Sequence, residues 1–236
     1  MPTVSLPDRP SPFTFGIIVE LIFLCGTFIT GLVIAGAVGV TQARWNGKCI
    51  LSMGVTCTMG TDLKWHYSFT SDGGLCHFCL NFQIACVLTS FVFAIYRILV
   101  LCYRKYNIAI LRLVTAGIFT VYALLVLAEA AIITIGLNAF CDGLMNSCGV
   151  SFGKTCPQYQ TWIDWIYDDG SSFYSTTLVA EVAAWISFVF WVALAVWSFV
   201  LFLKARRANR QMVLPPSSLT TPAAAAAPST VTNKPV

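Results

Sequence analysis

Charge is what this chain has least of. Charged residues make up 10% of its 236 positions, whereas a soluble domain carries about 25%. So little charge cannot clothe a water-facing globule. Histidine is nearly absent as well, with two residues, His66 and His77. The run Cys76-His77-Phe78-Cys79 has metal-like residue types but lacks the paired spacing of a zinc site. No phosphate-cradling P-loop, no Gly-x-Ser-x-Gly elbow and no His-Glu-x-x-His helix occurs, so the side chains those chemistries need are missing. There is no Asn-x-Ser/Thr acceptor for glycans. Asn146-Ser147-Cys148 is a rare variant that a bridged Cys148 would block. No internal repeat is visible, which removes the inverted-repeat signature of many transporters. These absences predict no enzyme, no metal, no cofactor and no nucleic-acid partner.

What the chain has is long apolar runs. Hydrophobic residues reach 57%, with a mean hydropathy of +0.76. Four runs, at about 15–40, 75–103, 108–137 and 178–203, each exceed the ~20 residues a helix needs to cross a ~30 Å hydrocarbon layer. Inside lipid every backbone amide must be satisfied within its own segment, so these runs must be helices. The expected fold is all-α: a four-helix transmembrane bundle over 15–204, with two disulfide-stapled extracellular or lumenal loops at 41–74 and 138–177. A leader, 1–14, holds four prolines and is expected to be extended in the cytosol. A tail, 205–236, turns rich in Pro, Ala, Ser and Thr and is expected to be disordered. The first run is too long for the core of a signal peptide.

The cations orient the bundle. Arg97, Arg104, Lys105 and Arg112 flank the short turn between runs two and three, and Lys204, Arg206, Arg207 and Arg210 follow run four. The positive-inside rule then places that turn and both termini in the cytosol. The basic group after run four is read as a stop-transfer anchor that could also touch anionic lipid. Cysteine placement agrees. Of ten cysteines, Cys49, Cys57 and Cys76 fall in or beside the first long loop, and Cys141, Cys148 and Cys156 in the second. Six loop cysteines in an oxidising compartment read as disulfides, with fifteen pairings open to them. Cys25, Cys79, Cys86 and Cys102 lie within the runs and read as small hydrophobes.

A charged group inside a span is costly, so its position asks for a reason. Glu20 and Arg97 each lie a few residues inside the cytosolic boundary, about 7–9 Å deep at 1.5 Å per residue. Glu20 shares a face with Thr27 and Gly31, and Arg97 shares one with Ser90, Cys86, Gln83 and Cys79. We expect them to form an ion pair between the first two spans; the rival is that each snorkels to the headgroups. Glu129, Glu181 and Gln83 lie toward the other leaflet. They are read either as separately satisfied groups or as a joint cation or proton site. Span one carries a small-residue row, Thr27, Gly31, Ala35 and Gly39, suited to close helix packing. A short hairpin is expected after Cys49. The aromatics Trp162, Trp165, Tyr167, Phe173 and Tyr174 are expected to form an interfacial belt or loop packing, or else a partner surface.

Several short segments, in order along the membrane region, are similar to the transmembrane protein 179 family of four-pass proteins. They are Trp45-Asn46-Gly47-Lys48-Cys49-Ile50-Leu51, Leu75-Cys76-His77-Phe78, Gly136 through Cys141-Asp142 with Cys156, Phe173-Tyr174, Ala180-Glu181 with Trp185, Phe202-Leu203-Lys204 and Arg210-Gln211. The resemblance implies bridges Cys49–Cys76 and Cys141–Cys156. Cys57 and Cys148 would be additions, and we expect them to pair across the loops. Tetraspanins are excluded, because their Cys-Cys-Gly motif is missing. Claudins carry Trp…Gly-Leu-Trp…Cys…Cys in loop one. The Gly-Leu-Trp is missing here, so we expect a likeness of architecture alone.

The functional expectation is a non-enzymatic accessory, scaffold or adhesion-type partner of other membrane proteins, or a self-associating one, in a plasma, endosomal or secretory membrane. The alternative is a small transporter or channel subunit using the intramembrane carboxylates as an ion site.

Overall fold

In the computed structural model, residues 12–59, 65–102, 109–147, 153–163 and 170–213 are described. Residues 1–11 of the predicted leader, most of the tail, Arg104, Lys105, Cys148, Trp165 and Tyr167 lie outside them.

Four long helices run up and down: α1 (Pro12–Arg44), α2 (Gly74–Cys102), α3 (Ala109–Asn146) and, after a short α4 (Cys156–Trp162), α5 (Phe173–Val213). All four long ones are long and apolar enough to cross a membrane. A 3-10 turn at Ile50–Ser52 leads into an antiparallel hairpin, β1 (Met53–Met59) and β2 (Trp65–Ser71), paired from Met53↔Ser71 to Met59↔Trp65. The strands form because β-branched, aromatic and polar residues alternate there. Val55, Cys57, Tyr67 and Phe69 are half-buried, whereas Thr56, Ser68 and Thr70 are exposed.

The helices extend past the apolar runs that announce them. α3 continues to Asn146, into the region expected to be loop, and α5 begins at Phe173 and continues to Val213. Hydropathy marks where lipid must be, but a helix continues wherever its next turn finds packing. The last turns of α3 find it against the hairpin: Gly143 lies under Val55, and Gly136 under the backbone of Leu51.

Buried positions recur every seven residues. On α3 they include Phe119, Val126, Ile133 and Phe140; on α5, Thr177, Ala184, Trp191 and Ser198. A repeat of 3.5 residues keeps one seam facing inward along a long helix, the geometry of an antiparallel bundle. Close backbone packing joins α1 to α2, α1 to α5 and α3 to α5. Between α2 and α3, longer side chains bridge: Phe93 meets Phe119 edge-on at 5.0 Å, and Thr89 and Tyr122 share a 2.7 Å hydrogen bond.

Candidate functional site

The buried polar residues of α1 and α2 fall on a single antiparallel register. Glu20, Thr27, Ile34 and Thr41 descend one helix at intervals of seven, and Arg97, Ser90, Gln83 and Cys76 ascend the other; all eight are buried. The rungs differ in chemistry. At the end away from the hairpin, Arg97 Nε lies 2.7 Å from Glu20 Oε2, and its Nη2 donates to Oε1 at 3.2 Å. Ser198 of α5 donates to the same Oε1 at 3.1 Å. Seven residues on, the Thr27 and Ser90 hydroxyls are 2.9 Å apart. Each hydroxyl has one proton, so one donates to the other while the acceptor donates to its own helix carbonyl, Leu24 for Thr27 or Cys86 for Ser90.

One rung further, Gln83 reaches past α1 and donates through Nε2 to Glu129 Oε2 on α3. Room for it comes from Gly31. A Cβ there would stand 2.8 Å from Val87 and 3.3 Å from Gln83 Oε1. Glu181 does not join. Its Oε1 accepts from Thr134 at 2.8 Å, and Thr134 in turn accepts from the Trp185 indole at 3.3 Å. Gln83 and Glu129 are thus together and Glu181 apart. Among the described residues no group of three His, Cys, Asp or Glu side chains could hold a metal.

The last rung, Thr41 and Cys76, opens on the disulfide cap. Thr41 and Cys76 border a cavity of about 10 Å³ that Ile50, Leu51, Ile133 and Thr177 also line, room for about one water. Cys49 is bonded to Cys76 and Cys141 to Cys156. Cys57 is also disulfide-bonded, and its expected partner Cys148 lies outside the described residues. Trp45, fully buried, meets Phe69 edge-on at 5.0 Å and Phe140 at 5.8 Å, and Phe140 meets Phe173 at 5.1 Å. Edge-to-face contacts of this kind add to the area that aromatic rings bury. The hairpin therefore packs on the cap-side end of the bundle, against the last turns of α3. Arg44 donates to Ser172, and Cys49 N–H donates to Ser71 at 2.8 Å, which ties α1 to the start of α5 and the 3-10 turn to β2. Burial, with Tyr159 nearby, pushes the Tyr67 hydroxyl up to about 12, so it stays neutral at physiological pH. Of the loop aromatics expected to form a belt, Phe173 is buried in this cluster and Tyr174 packs beside it.

Residues 16–221 match the family model "Transmembrane protein 179/179B Claudin domain". The chain belongs to that family. Transmembrane protein 179B of Danio rerio is 28% identical over 184 residues, covering 76% of this chain and 81% of the relative. No solved structure matches. The family's description corrects one expectation, that claudins share only architecture with this chain. The missing Gly-Leu-Trp is a short stretch of loop one. What this chain does have is a buried Trp45 over the hairpin and a bridged Cys49, enough to build a cap without that motif.

Sequence reasoning overlooked several of these partners. Ser198, the third member of the Glu20 cluster, carried a signal only in the seven-residue spacing of α5, and Trp197, whose indole donates to the Gly16 carbonyl at 3.1 Å, lies off that spacing.

Proposed function

We propose that this protein is a non-enzymatic accessory or scaffold subunit, an adhesion-type partner of other membrane proteins. It would reside in a plasma, endosomal or secretory membrane, with its termini cytosolic and its cap outside or lumenal. One observation carries the reading: inside the bundle, the polar side chains that find partners find them across helices. Glu20 is taken by Arg97 and Ser198, and Gln83 by Glu129. What remains to meet another molecule is a rigid cap and a lipid-facing surface. Affinity capture in mild detergent tests it. A stable membrane-protein partner, or a defined homo-oligomer, is the expected result. An isolated monomer from every membrane sampled overturns it.

The transporter or channel reading keeps one observation in its favour. Glu129 Oε1 and Gln83 Oε1 are buried with no hydrogen bond among the described residues. An ion site there predicts that Glu129→Gln abolishes a flux while the protein still reaches its membrane. Against it stands the separation of Glu181, bound to Thr134, from Glu129.

A further inference from the structure

Of the carboxylates inside the spans, Glu181 has the unusual setting. Glu20 is bound by a guanidinium and a hydroxyl, and Glu129 by an amide in the bundle interior. Glu181 is half-buried on the lipid-facing side of α5. Thr134 donates to its Oε1, and the Trp185 indole donates to Thr134. This chain of donors fixes the Thr134 hydroxyl and through it the carboxylate, and among the described residues Glu181 makes no ion pair. Around it the surface is apolar and exposed: Leu178, Val182 and Ile186 on α5, and Ile135 on α3. A carboxylate at the border of hydrocarbon without a counter-charge is costly, and this one is held in place rather than left to swing toward water.

We propose that the exposed apolar face of α3 and α5 around Glu181 seats the transmembrane helix of another protein, one carrying a lysine or arginine in the cap-side half of its span. The inference rests on the accessory reading above and names its partner's chemistry. Depth follows from the helix rise. Glu181 is about 26 Å along α5 from Ser198, beside the Glu20–Arg97 pair. Both fit a ~30 Å hydrocarbon layer when Glu181 lies near the cap-side boundary, so the partner's cation belongs there. A second copy of this chain cannot supply it. The described span cations Arg97 and Arg112 are buried at the opposite end, and Arg44 stands higher, beside Ser172.

The test uses the full-length protein in phosphatidylcholine vesicles with synthetic polyleucine single-span helices. One helix carries a lysine at the cap-side boundary, one carries it at the opposite boundary, and one carries none. Energy transfer reads association. The cap-side lysine should raise association about fivefold over the other two, the ratio of a modest ion pair, and Glu181→Gln should remove the excess. Equal association of all three helices with the wild-type protein overturns the proposal, and so does an excess that survives Glu181→Gln. Loss of a retained choline lipid as the sole effect of Glu181→Gln, read by mass spectrometry of the intact protein, also overturns it and assigns the carboxylate to a headgroup. Photo-crosslinkers in the native membrane separate the two levels of failure. Adducts from Leu88 or Phe91 on α2, with none from Val182, mean that a partner exists and sits elsewhere. Adducts from no face mean that the accessory reading itself has failed.

Discussion

The two ends of the bundle are fastened by different chemistry. At the cap, disulfides Cys49–Cys76 and Cys141–Cys156 and the Trp45–Phe140–Phe173 cluster tie hairpin to helices. At the far end no covalent link occurs among the described residues. The work falls to Glu20, Arg97 and Ser198, with the Trp197 indole on the Gly16 carbonyl. The cap consists of chain that leaves the lipid, where water competes for every hydrogen bond, and cross-links hold regardless of that competition. The far end lies between helices, where water does not reach and a buried pair keeps its full strength. Each region uses the bond that its solvent weakens least.

Removing half of the ion pair should do the most damage. Arg97→Leu leaves Glu20 buried without its counter-charge and should cost about 3–5 kcal/mol, read as a lower unfolding temperature in detergent and reduced expression. The exchange Glu20→Arg with Arg97→Glu should recover much of that loss. A double variant no better than either single one would mean that this end is held by something else. Opening the cap comes next. Chain-entropy arithmetic gives about 3.5 kcal/mol for the Cys49–Cys76 bridge and about 3 kcal/mol for Cys141–Cys156, since their loops span 27 and 15 residues. Serine pairs at each site should loosen the hairpin to protease in that order while the far end stays protected; simultaneous release of both ends would erase the contrast. The smallest effect is steric. A Cβ at Gly136 would stand 2.8 Å from the Leu51 carbonyl oxygen, so Gly136→Ala should cost about 1–3 kcal/mol. Gly36→Ala, with nothing within 4 Å, should change stability by less than about 0.5 kcal/mol. Equal melting of the two variants would show that the helix–cap contact is slack.

The lipid-spanning helices could be read from the sequence because hydropathy over some twenty residues is a property of the segment alone. The faces of Glu20 and Arg97 could be read too, since a helical wheel needs only one helix. Relations between helices were harder. Depth alone groups Gln83, Glu129 and Glu181, but meeting depends on rotation about each axis, and that rotation is set by neighbours such as Gly31 and Thr134. The seven-residue repeat was present in the chain throughout. Its polar members, Thr27, Ser90 and Ser198, mask it on a hydropathy scale that scores them as interruptions.

The register of α1 on α2 is selected twice. A slide of one helix by seven residues would set Arg97 against Thr27, and a slide in the other sense would set Glu20 against Ser90; either one breaks the observed Glu20–Arg97 pair. Each wrong alignment also carries Cys76 about 10 Å away from Cys49, beyond reach of a bond. The Cys49–Cys76 bond is therefore within reach in the observed alignment and in neither of these slides. Bridge and ion pair thus select the same register of α1 on α2, one by covalent reach and the other by charge.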